Sequence, residues 1–137
     1  MGGEKKVAYK NEEIRVKNPK SLKVYGKCME LNKIIYQLVK QYPPEEKYGV
    51  SSQTTRSCTS IGANLSEGNG QIFPLKEISF YSNSIGSANE LIYWLDVSLQ
   101  NGYISKQQYN QATELTQEII KMLVGMMRKL KSNNEVA

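Results

Sequence analysis

The chain contains no histidine among its 137 residues. That absence removes the Glu-x-x-His pairs with which helical bundles hold two metal ions, most zinc catalysis, and every nucleophile activated by an imidazole. Cysteine is scarce as well. Cys28 and Cys58 both sit inside apolar periodic stretches, which reads as two small buried hydrophobes in a reducing compartment, with a disulfide or a metal pair as the alternative. No run approaches the roughly 18 apolar residues that span a bilayer, and the opening "MGGEKKVAYKNEEIRVKNP" lacks the apolar block of a secretory signal. The expectation is a cytoplasmic protein with no membrane partner.

What is present is a globular balance, 39% hydrophobic and 23% charged residues, in a length that suits one domain. Basic residues exceed acidic ones by 18 to 13, but unevenly: seven of the bases and three of the acids fall in the first 24 positions, leaving eleven against ten. The excess is therefore assigned to a basic N-terminal arm, residues 1–20, expected to be flexible. A nearly neutral helical body over 21–132 and a short tail, 133–137, follow it. The arm bases Lys5, Lys6, Lys10, Arg15, Lys17 and Lys20, with Lys121, Arg128, Lys129 and Lys131 near the other end of the sequence, are the candidate nucleic-acid contacts. The cations at 128–131 also suit the negative end of a helix dipole.

Beyond the arm, helical spacing recurs four times. The first helix starts near Ser21 and carries Val24, Cys28, Leu31, Ile35 and Leu38 at steps of three and four until "YPPEEKYG" stops it. The second, about 45–69, has a small-residue stripe of Thr54, Cys58, Ile61, Leu65 and Gly68, beside a polar line of Gln53, Ser57, Ser60, Asn64, Glu67 and Gln71. Gly68 and Gly70 are expected to close it through a left-handed turn. The third lies between Pro74 and Gly102, with a seam of Ile78, Tyr81, Ile85, Ala88, Ile92, Leu95 and Leu99. Phe80, Leu91, Tyr93, Trp94 and Val97 lie off that seam, and a helix apolar on more than one side calls for a second partner. Phe80, Tyr93, Trp94 and Val97 are accordingly the candidate oligomer interface. The fourth begins at Ser105, where Gln108 completes a capping-box pattern, and its seam is Tyr109, Ala112, Thr116, Ile119, Leu123, Met126 and Leu130. Short connections make neighbours antiparallel, so the predicted fold is all-α, an up-down-up-down four-helix bundle.

The stretch "SIGANLSEGNGQ", residues 60–71, could be a catalytic constellation, a phosphate cradle or a polar knot between helices. A phosphate loop needs a strand before it and a Lys after its glycines, and neither is here. For catalysis there remain Glu67, Glu90, Asp96 and some serines, with no nucleophile paired to a base, so no enzyme, cofactor or metal is expected. The third option stands: Asn64 and Glu67 are expected to be buried and partnered by Ser84, Ser87, Asn89 and Glu90 of the third helix. On that reading Glu67→Ala costs about 1–3 kcal/mol.

The stretches "PPEEKYG", "SIGANLSEG", "IGSANEL" and "NGYIS", in this order and spacing, resemble a bacterial family over residues 22–131. It is typified by the protein encoded in intervening sequences of 23S ribosomal RNA genes, and it includes the accessory variability determinant proteins of diversity-generating retroelements. The resemblance implies a homopentameric barrel of four-helix bundles without enzymatic activity, a scaffold or adaptor. In the retroelement members it implies binding to nucleic acid and a reverse transcriptase. It also marks Ser60, Asn64, Glu67, Gly68, Ser87 and Glu90 as the family's polar network. Where the family often has a basic residue after "EGNG", this chain has Gln71.

Overall fold

The computed structural model describes the backbone of residues 4–9 and 12–136, and side chains over 17–133. Its body is all-α. Four helices, α1 (Lys23–Val39), α2 (Val50–Asn69), α3 (Pro74–Gln100) and α4 (Lys106–Val136), follow one another through short connections. In space α1 lies beside α2 and α4, and α3 likewise lies beside α2 and α4, which closes the four into a ring around one core.

The helix ends follow local chemistry. Pro74 opens α3, where a missing N–H costs nothing. Ser105 Oγ accepts from the Gln108 amide at 3.1 Å while the Ser105 amide donates to Gln108 Oε1 at 2.9 Å, so the capping box at α4 is complete. Gly102 takes φ +73° just past α3. At the other glycine-rich end the expectation fails: Gly70 is right-handed at φ −81°, so α2 closes without a left-handed residue. Gly68 is needed for a different reason. A Cβ there would lie 2.7 Å from Phe80 Cβ and 3.0 Å from the Tyr81 ring, so only glycine lets α3 come this close. α2 also begins later than expected, because Pro44–Glu46 form a separate 3₁₀ turn. α4 runs on through the segment expected to be a tail.

Within the segment expected to be an arm, two strands, β1 (Glu4–Tyr9) and β2 (Glu12–Lys17), pair antiparallel with Val7 opposite Ile14 and Lys5 opposite Val16. Ile14 and Val16 at alternate positions of β2, with Val7 in β1, are the signal for it. A 3₁₀ turn, Pro19–Ser21, then leads into α1.

The core takes all five expected positions of α1 and all five of α2, together with Ala112, Thr116, Ile119 and Leu123 of α4. α3 differs by a rotation. Its buried line is Glu77, Tyr81, Ser84, Ala88, Leu91, Leu95 and Ser98, while Ile78, Ile85, Ile92 and Leu99 are only half-buried. Leu91, expected off the seam, is fully buried. Both thiols are buried, and burial pushes the Cys28 and Cys58 pKa values up to about 12.

Candidate functional site

The polar network expected between α2 and α3 is not built from the expected residues. Asn64 donates to the Ser60 carbonyl of its own helix, at 2.9 Å. Glu90 accepts from Trp94 Nε1, again within one helix, at 3.0 Å. Glu67 and Glu90 are exposed, and Ser60, Asn64 and Ser87 are half-buried. The reason is rotation. On α2 the positions 60, 64 and 67 lie on the outer side of the buried line 61, 65 and 68, so they rim the α2–α3 groove instead of filling it.

Of the residues that do fill it, Ser84 was expected at this interface but meets a backbone carbonyl, and Lys17, Asn69 and Glu77 were missed. Ser84 Oγ donates to the Ile61 carbonyl at 2.7 Å, fully buried midway along the two helices. At the α2–α3 end, Asn69 Nδ2 donates to Tyr81 Oη at 3.1 Å, Tyr81 Oη donates to Glu77 Oε2 at 2.6 Å, and Lys17 Nζ donates to the same oxygen at 2.7 Å. Glu77 is only 4% exposed. A buried carboxylate is tolerable because an ammonium and a phenol both donate to it. Burial, then the bond to Glu77, pushes the Tyr81 pKa up, so the phenol stays a proton donor. Asn69 Oδ1 is buried with no partner among the described residues. Beside this relay lies a cleft of about 270 Å³ between Leu22, Met126, Lys129 and Leu130. The relay ties the last residue of β2 to the bundle. It offers no nucleophile with an activating base, and its only carboxylate is already held by two donors.

The opposite end is fastened differently. Tyr42 Oη donates to Ser98 Oγ at 2.7 Å, and Tyr103 Oη donates to Glu46 Oε2 at 2.8 Å while the Val50 amide donates to Glu46 Oε1 at 3.1 Å. Those two donors, Tyr103 first, hold the Glu46 carboxyl below the usual carboxylate range.

The two ends also differ in charge. Residues 17–28, 62–84 and 120–133, which make up the relay end, hold nine basic residues against two acidic ones; residues 34–56 and 92–114 at the far end hold four of each. Of the candidate nucleic-acid contacts, Lys20, Lys121, Arg128, Lys129 and Lys131 are exposed, while Lys17 is tied to Glu77. Lys10 lies outside the described residues, as do the side chains of Lys5, Lys6 and Arg15.

At the candidate interface, Tyr93 is 57% exposed and meets Trp94 edge-on with ring centroids 4.9 Å apart. Phe80, Trp94 and Val97 are half-buried and lie outside the core cluster, though Phe80 backs onto Gly68. Among the described residues no helix is long and apolar enough to cross a membrane, and no cluster of three acidic or thiol groups could hold a metal.

Over residues 20–125 the sequence matches the model of the family described as "23S rRNA-intervening sequence protein". The chain belongs to that family. A similar solved structure, at 1.70 Å, is a protein with unknown function from the S23 ribosomal protein family of Bacteroides thetaiotaomicron VPI-5482. It is 30% identical with a TM-score of 0.71, and the match covers 76% of this chain and 97% of that one. No match was found among curated proteins.

Proposed function

We propose that this member of the 23S rRNA-intervening sequence protein family is a non-catalytic scaffold or adaptor that works as a homo-oligomer in the bacterial cytoplasm. In this reading its helices run up-down-up-down and antiparallel. Three facing pairs support that sense: Cys58 with Asn32, Ser84 with Ile61, and Lys27 with Glu118.

The observation that carries the proposal is the Tyr93–Trp94 pair, large aromatic surface on the outside of a helix whose inner line is already filled. A second apolar face lies elsewhere, where Met29 and Tyr36 of α1 are exposed, Met29 beside a shallow cleft floored by Gly62 and Ala63. Two different faces on one chain suit a head-to-tail interface, the kind that closes into a ring. A pentamer is the ring the family likeness implies. The alternative, an accessory protein that binds nucleic acid beside a reverse transcriptase, has less support, because Lys17 is engaged by Glu77.

Light scattering on the purified chain should give a mass several times its 15.5 kDa, and Tyr93→Glu with Val97→Glu should reduce it to a monomer. A monomeric native protein at micromolar concentration overturns the proposal.

A further inference from the structure

At the turn between α2 and α3 the chain exposes three large apolar side chains in four positions. Ile72 is 54% exposed, Phe73 67% and Leu75 70%. They form the tip of the relay end, the same end that carries nine basic residues against two acidic ones; with Lys17 bonded to Glu77 and Lys27 to Glu118, seven cations remain there against Glu67. Lys76 stands within the tip, and Lys20, Lys23 and Lys129 are exposed on the neighbouring segments. The cleft beside Glu77 brings Lys17, Leu22, Asn69 and Lys129 together, which places the start of α1, the end of α2 and the late turns of α4 at this one end.

We propose that this end docks on an anionic lipid surface, with Ile72, Phe73 and Leu75 inserted at the headgroup boundary and the lysines over the headgroup charges. Short apolar tips ringed by lysine have that chemistry: partial burial of apolar area adds to electrostatic attraction. Two features favour lipid over single-stranded nucleic acid. The tip has one aromatic and two aliphatic side chains, where base stacking wants aromatic platforms. The clefts at this end each bring only two cations together, Lys17 with Lys129 and Lys23 with Lys129, too few to track the backbone of a strand. The expectation of no membrane partner rests on the lack of a spanning segment, which a surface-bound protein does not need. In a cyclic oligomer every copy would present this end on the same rim and multiply weak contacts, but docking by a single copy does not depend on assembly.

The test is sedimentation of the full chain with vesicles of equal phosphatidylglycerol and phosphatidylcholine, against phosphatidylcholine alone. Binding is expected only to the anionic vesicles and should weaken as salt rises. The double variant Phe73→Ser, Leu75→Ser should lower partitioning about tenfold, and Lys76→Glu about fivefold. All three residues are exposed, so the fold survives, and light scattering reports assembly separately. Equal sedimentation with neutral and anionic vesicles overturns the proposal. So does binding that the tip variant leaves unchanged. It is equally overturned if the tip variant alters oligomer mass while native protein ignores vesicles, or if the native chain binds single-stranded RNA at this tip and no lipid.

Discussion

Along α1 the five buried positions are Val24, Cys28, Leu31, Ile35 and Leu38, and the strongest hydrogen-bonding group among them is a thiol. Along α3 three of the seven buried positions are Glu77, Ser84 and Ser98. The two helices sit across the same core, so the difference is not one of exposure. Each polar position on α3 meets a group that can take it: Lys17 and Tyr81 at one end, the Ile61 carbonyl in the middle, and Tyr42 at the other end. α1 is held by area buried. α3 is held by area and by three bonds at fixed heights, which set its rotation and register.

That matters because α3 has two adjacent lines that could face the core, one apolar and one largely polar. The line 78, 85, 92 and 99 is all Ile and Leu, and the line 77, 84, 91 and 98 is mostly polar, yet the second is the one buried. Serine at 84 lets α3 reach a backbone carbonyl of α2, and glycine at 68 removes the last obstacle to close approach. An isoleucine line facing the same way would hold the helices apart.

The comparison can be broken most sharply at neighbouring residues. Leu91→Ala should destabilise the fold by about 2–5 kcal/mol, and Ile92→Ala by about 1 kcal/mol; equal losses in urea unfolding would mean that the rotation is wrong. Glu77→Ala should cost about 2–4 kcal/mol, because it leaves the Tyr81 hydroxyl, and in part the Lys17 ammonium, without their acceptor. A loss matching that of an exposed glutamate in a thermal melt would show the relay to be decorative. Gly68→Ala should cost about 1–3 kcal/mol by forcing α2 and α3 apart, and a neutral result by calorimetry would show slack in that contact. Glu67→Ala marks the small end, within about 0.5 kcal/mol of native stability. This replaces the larger loss expected from sequence, since the Glu67 carboxylate lies at the surface, and a melting temperature several degrees lower would restore the buried reading.

The Glu46 carboxyl supplies a weaker, pH-dependent contrast between the two ends. Its folded pKa lies below the unfolded value, near 4.5, so its contribution is present above that pH and fades as pH falls through the depressed folded value. Glu46→Gln should flatten the fall in stability over that acidic range, measured by urea unfolding at stepped pH.

Much of the fold was legible. The five buried residues of α1 and the small stripe of α2 are strict local periods, the capping box at Ser105 and Gln108 is a local pattern, and the limits of α3 are announced by Pro74 and Gly102. The polar site was misread for a specific reason. Glu77 looks like an acid placed for the helix dipole, in the first turn of α3. Its salt-bridge partner, Lys17, lies 60 positions away in the chain. The one usable sign was Glu77 and Tyr81 four residues apart, on the same face of one helix.

From sequence alone come the four helices, nearly all their ends and three of their four buried lines, because each depends on residues within a turn or two of one another. Tertiary structure decided the rest: which of two lines α3 buries, why position 68 must be glycine, and how a chain with a nearly neutral body gathers its lysines and its apolar tip at one end. Those outcomes depend on what stands opposite each residue, and only the folded chain brings such partners within hydrogen-bond or van der Waals reach.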